Sequence, residues 1–183
     1  MVQVNALTAA PATLDGTGDK VPVYDASAGV LTQVSVQQLT ARAYGDIKLA
    51  AATAAQTLTA TYAKLTVFDA TTASYGVTVA GDFDAITVAQ AGIYEISFSA
   101  NFYVGTAKTL LFALSVGDAE DVDCQTSTVV PGTGATTVYN ASFCVLKSLA
   151  AGAVITIEAM VNSSTSVTTF NNIDLVIKKI DEV

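Results

Sequence analysis

The chain has 183 residues, 51% hydrophobic and 13% charged, with a mean hydropathy of +0.50; that suits one globular domain plus an appendage and excludes intrinsic disorder. Eight Lys and Arg against sixteen Asp and Glu leave a net charge of −8, which argues against a phosphate-tracking face and so against direct contact with nucleic acid. Histidine is absent, which removes the usual general base of Ser and Cys hydrolases and the commonest nitrogen ligand of zinc; no enzyme activity and no cofactor are expected.

Met1 to Pro11 contains no basic residue and no apolar run of signal-peptide length, so export by that route is not expected. No later stretch approaches the roughly 20 apolar residues of a membrane span, and a membrane is not an expected partner. Up to Tyr44 the chain is punctuated by Pro11, Gly16, Gly18, Pro22 and Gly29, with short apolar pieces at Val21 to Tyr24 and Val30 to Val36. Ser35-Val36-Gln37-Gln38 has capping-box spacing, and Val36, Leu39 and Ala43 then recur at helical spacing, which predicts a short helix. Residues 1–45 therefore read as an extended arm containing a short helix. It lacks a core of its own and must dock elsewhere, with Val21, Val23, Tyr24, Leu31, Val36 and Leu39 as its anchoring side chains.

Over residues 46–183 the apolar period becomes two. Tyr94, Ile96, Phe98, Ala100, Phe102 and Val104 alternate with Glu95, Ser97, Ser99 and Asn101, which predicts a long strand with one buried face. The pattern repeats at Leu110 to Val116, Tyr139 to Val145, Ile155 to Val161 and Ile173 to Ile177. Shorter strands are expected at Ile47 to Ala50, Leu65 to Phe68, Val77 to Ala80 and Ile86 to Ala89. This succession, with turns between the strands and no helical period, predicts an all-β, antiparallel jelly-roll sandwich. Leu110 to Leu114 and Leu175 to Ile177 are apolar on both faces, and a two-sheet sandwich buries only one face of each sheet. An obligate homo-oligomer burying more than about 2,000 Å² per interface is expected.

Gly117 to Asp123 gathers Asp118, Glu120, Asp121 and Asp123, hard oxygen ligands that could hold calcium; the spacing is not that of an EF-hand, and a solvated acidic loop fits better. Asp82 and Asp84 flank Phe83 and share a strand face, yet a turn-and-cap role suits them better than acid/base catalysis. Gly132-Thr133-Gly134-Ala135 lacks the lysine and helix of a phosphate loop and reads as a hairpin loop. Tyr94, Phe98, Phe102, Phe112, Leu175 and Ile177 are the candidate core and subunit-interface side chains; an aromatic sugar platform is the alternative for the aromatics of the long strand. Cys124 and Cys144 are too few and too far apart for a zinc pair or a disulfide scaffold. They read as two thiols, with pairing across neighbouring strands left open.

The stretch from Leu65 to Val104, with Phe68-Asp69, Phe83-Asp84 before Ile86-Thr87-Val88, and Ala91-Gly92-Ile93-Tyr94 opening the long strand, resembles the complement-C1q/tumour-necrosis-factor superfamily. Leu149-Ala150-Ala151-Gly152-Ala153 before Val154 to Ile157, and the closing Ile173 to Lys178, resemble that superfamily's later strands, with Ala153 where many members carry Asp. Asp15 to Gly29 is similar to the leading segments of tailed-bacteriophage virion proteins. The resemblance implies a homotrimer in which aromatics of the long strand approach the three-fold axis. It further implies a non-enzymatic phage protein on the capsid exterior, made in the host cytoplasm. The expected role is capsid decoration (cement), the arm binding the major capsid protein; the alternative is a head- or tail-fibre tip that recognises a host-surface glycan or protein.

Overall fold

Residues 20–25, 30–35, 43–117, 119–131 and 137–181 are described in the computed structural model. The chain divides into two compact units, residues 1–41 and 42–183. In the first, β1 (Lys20–Asp25) pairs antiparallel with β2 (Val30–Ser35), in a register running from Lys20↔Ser35 to Asp25↔Val30. The two apolar pieces of the arm thus form one hairpin. The predicted helix, with Val36 and Leu39, lies outside the described residues; Ser35, expected as its cap, ends β2.

The second unit is a sandwich of two six-stranded antiparallel sheets. One has the order β11 (Glu120–Val130), β10 (Lys108–Val116), β13 (Val154–Val161), β8 (Ile86–Val88) and β7 (Val77–Val79), with β5 (Ala63–Lys64) also pairing β13. The other has the order β12 (Tyr139–Leu149), β9 (Gly92–Val104), β14 (Ser166–Asp181), β3 (Tyr44–Lys48) and β6 (Ser74–Tyr75), with β4 (Ala54–Leu58) also pairing β14. Every pairing is antiparallel, and sequential strands repeatedly change sheets, as in a jelly roll. Among the described residues no helix is long and apolar enough to cross a membrane.

Alternation builds the core. On β9 every even-numbered residue from Tyr94 to Val104 is buried, while the odd-numbered ones are exposed or half-buried. Phe170, Ile173, Leu175 and Ile177 of β14 stand opposite Phe102, Ala100, Phe98 and Ile96, so the two longest strands present a common inward face. Phe112 enters from the other sheet. Its ring lies 5.5 Å from Phe98, 5.4 Å from Phe102 and 6.4 Å from Phe170, centroid to centroid, at tilted or edge-on angles that aromatic quadrupoles favour.

The sheets also meet along their margins. Asp121 of β11 pairs with Lys147 of β12, and the Thr128 hydroxyl donates to the Asn140 carbonyl at 2.9 Å, so an edge of each sheet is tied to the other. Near the opposite margin β3 approaches β7 so closely that a Cβ on Gly45 would stand 2.6 Å from Val77 Cγ2.

Three expectations need correction. Leu65 to Phe68 is not a strand: the short strand β5 ends at Lys64, after which the Leu65 N–H donates to the Ile157 carbonyl at 2.8 Å and Leu65, Val67 and Phe68 fill the core from an irregular segment. Burial without pairing mimics a strand in hydropathy alone. The expected acidic loop is mostly β11, whose ladder with β10 shifts register between Ala113 and Leu114. The stretch Gly132 to Ala135, read as a hairpin loop, lies between β11 and β12, which belong to different sheets and so form no hairpin. Its own residues lie outside those described.

Two packing predictions follow from these contacts. Phe112→Ala removes the ring shared by both sheets and should cost about 3–5 kcal/mol in denaturant unfolding. Gly45→Ala must push β3 from β7 and should cost about 1–3 kcal/mol, with unchanged circular dichroism at low temperature.

Candidate functional site

Tyr94, Phe98, Phe102, Phe112, Leu175 and Ile177 are all buried at 2% exposure or less within a single copy. They are core. An interface between copies must be made by other side chains, because these six are already enclosed by the chain's own second sheet.

The outward face of the β12–β9–β14–β3 sheet supplies such side chains. Strand register sets them in rows across the sheet. One row runs Ser142, Ser99, Asp174, Lys48; the next runs Cys144, Ser97, Val176, Asp46; a third runs Leu146, Glu95, Lys178, Tyr44. On β12 and β9 these rows carry small side chains, Ser142, Ser99, Ser97 and Cys144. Larger apolar groups are left uncovered beside them: Leu146 is 59% exposed, Val176 39% and Ile180 46%. At one side Tyr44 stacks on Tyr75 with centroids 6.3 Å apart. Exposed apolar groups beside small residues suit a protein contact.

Two charged groups on the β3 side of this face, Asp46 and Lys48, are fixed by local hydrogen bonds. The carboxylate of Asp46 accepts from the Thr72 N–H at 3.0 and 3.1 Å and from the Ala73 N–H at 3.0 Å, and the Lys48 ammonium donates to the Thr72 hydroxyl at 2.5 Å. Burial works to raise the Asp46 pKa, but the hydrogen bonds from Ala73 and Thr72, with Lys48 beside it, hold it below the ordinary carboxylate value. Asp174 is pushed the other way. Burial raises it, the Asp46 charge adds to the rise, and Lys48 only partly opposes it. Its Oδ1 is enclosed and has no hydrogen-bond partner.

The other candidates are spread out. Glu120 is exposed, Asp121 is held by Lys147, Asp118 lies outside the described residues, and so does the side chain of Asp123. Among the described residues, no group of three or more His, Cys, Asp or Glu side chains is placed to hold a metal ion. Asp84 is buried and ion-paired with Lys64, while Asp82 is exposed and is lowered by its hydrogen bond with Asp84, the wrong direction for a general acid. Phe83 between them takes φ +58° in the turn joining β7 to β8 and packs against the core. Cys124 lies buried on β11 and Cys144 exposed on β12, in different sheets, with no disulfide between them. The Ser97 hydroxyl donates to Cys144 Sγ at 3.3 Å. Val21, Val23 and Tyr24 lie on β1 and Leu31 on β2.

Sequence reasoning passed over Asp46, Lys48, Leu146, Asp174 and Ile180. The available signal was the polar half of the alternating pattern, whose members on four strands converge only once the register is known.

The opposed shifts of Asp46 and Asp174 predict opposite pH behaviour. Asp46, lowered in the folded state, contributes stability that is present above the unfolded carboxylate pKa of about 3.9 and lost as pH falls through its folded value. Asp46→Asn should therefore lower the melting temperature at pH 7 and lose that effect in acid. Asp174, raised in the folded state, favours folding only below about pH 3.9, and its charge opposes folding as pH rises through the folded value. Asp174→Asn should raise the melting temperature at pH 7, with the gain fading towards pH 4 in a calorimetric series.

No protein-family model and no curated protein sequence matches the chain. Solved structures do match it. Eiger, a tumour necrosis factor of S. frugiperda, is similar over 78% of this chain and 94% of its own, at 9% identity and a TM-score of 0.57. The globular domain of zebrafish complement 1qA matches 78% of this chain and 99% of its own, at 11% identity and a TM-score of 0.52. The PRD1 vertex protein matches 76% of this chain and 97% of its own, at 14% identity and a TM-score of 0.50. These likenesses, with the sheet order above, identify the fold as the jelly roll of the complement-C1q/tumour-necrosis-factor type.

Proposed function

We propose that this chain is a non-enzymatic structural protein of a phage virion, a homotrimeric capsid decoration protein that self-associates through the outward face of the β12–β9–β14–β3 sheet. The observation that carries the self-association is that face, where Leu146, Val176 and Ile180 are left exposed beside small side chains in a single copy. The phage setting is supported by the fold shared with the PRD1 vertex protein and by the resemblance of Asp15 to Gly29 to leading segments of virion proteins.

In this reading residues 1–41, a unit separate from the sandwich, reach the major capsid protein. The hairpin of β1 and β2 carries Val21, Val23, Tyr24 and Leu31. A two-stranded hairpin is marginally stable in water, so docking against a larger surface would stabilise it. Three such arms on one trimer bind jointly, and at millimolar effective concentration joint binding exceeds a single contact by about 10²- to 10⁴-fold. The trimer would then resist separation of capsid subunits under the pressure of packaged DNA.

Deleting residues 1–41 should leave a chain that sediments as a trimer and no longer binds isolated phage heads. Retained head binding would overturn the role of the arm. Full-length protein that ignores heads and binds host cells would replace decoration with the fibre-tip role.

A further inference from the structure

Asp174 sits on β14, the central strand of the outward face, with Ser99 of β9 on one side and Lys48 of β3 on the other. Its enclosed Oδ1 accepts no hydrogen bond. From β3, Lys48 donates to Thr72, and Asp46 is held as a carboxylate by backbone N–H groups of residues 72 and 73. From β9 the facing groups are Ser97, Ser99 and, further along, Glu95; from β12 they are Ser142 and Cys144. On its own strand Lys178 lies beyond Val176, opposite Glu95 and next to Tyr44. Lys48, opposite Asp174, is bonded to Thr72 and shared with Asp46, so it offsets the Asp174 charge only in part, and Lys178 stands opposite Glu95.

A single copy leaves Asp174 partly in water; a second copy laid on the face removes that water. Burying an ionised carboxylate that lacks a donor, close to another held in its ionised form, is costly, and the group neutralises instead. Resting on the self-association reading above, we propose that covering this face is coupled to uptake of one proton per copy by Asp174, so that self-association tightens as the pH falls. The proton comes from solvent and is returned to it on dissociation. The raised pKa of Asp174 in the single copy already lies in the required direction.

The test is sedimentation equilibrium of the full chain between pH 7.5 and 5, for wild type, Asp174→Asn, Asp174→Ser and Glu120→Gln, with circular dichroism verifying each fold. Wild type should tighten by about tenfold per copy for each pH unit where the coupling is complete. Asp174→Asn or Asp174→Ser, whichever folds, should be tight throughout and lose this dependence. Glu120→Gln, which changes net charge equally but lies on the other sheet, should keep it. A wild-type association indifferent to pH, or a folded Asp174 variant with the wild-type slope, overturns the proposal alone. A folded Asp174 variant that no longer associates also overturns it, since the carboxylate would then be serving as an ionised partner for a cation of the second copy. A wild type that stays monomeric at every pH overturns the self-association reading and this proposal with it.

Discussion

The Phe112 ring stands among Phe98, Phe102 and Phe170 of the opposite sheet, and the rest of the sandwich is arranged around that contact. For the rings to meet, β9 and β14 must keep their inward residues in step across the shift between Phe170 and Asn172, where the ladder slips by a residue and then resumes. Without that one-residue bulge, which moves the inward set of β14 from the even position of Phe170 to odd positions, Ile173, Leu175 and Ile177 would face outward. The aromatic side chains at Tyr94, Phe98, Phe102 and Phe170 of the two longest strands are committed to the interior, and the opposite face is left to small and polar residues with Val176 and Ile180 exposed among them.

Closure of the margins complements this. Asp121 with Lys147, and Thr128 with Asn140, tie the β11 and β12 edges of the two sheets, while Gly45 lets β3 come down onto β7. Exposed strand edges invite uncontrolled pairing between chains, and this sandwich restricts them. A broad sheet face remains uncovered in a single copy, and it presents side chains in place of backbone edges. Its electrostatics follow from the same geometry: on β3 the folded-back segment at residues 72 and 73 supplies donors to Asp46, whereas Asp174, in the middle of the sheet, has only a serine and an occupied lysine as lateral neighbours.

Strands with one clean buried face were legible from sequence. Tyr94 to Val104 and Ile155 to Val161 alternate because half their residues are excluded from water, and hydropathy reports that directly. The strand at Glu120–Val130 was not legible, since an edge strand bears polar side chains on much of both faces, and its Asp and Glu residues look like a loop. Leu65 to Phe68 misled in the opposite way: burial without a ladder leaves the same apolar signature as a strand. The aromatics assigned jointly to core and interface show where hydropathy stops, for a buried side chain is equally apolar whichever surface buries it.

The sequence by itself determined the all-β class, the inward set of side chains, the poor outlook for histidine- or phosphate-based chemistry and the resemblance to the jelly-roll superfamily. These are properties of residue type and local period, and both are written in the chain. Tertiary structure alone decided that β11 and β12 lie in different sheets, that the six aromatic and aliphatic candidates are internal, and that Asp46, Lys48, Asp174, Val176 and Leu146 share one surface. Those facts depend on register between strands up to about 130 positions apart, and no local pattern encodes which distant strand will lie alongside.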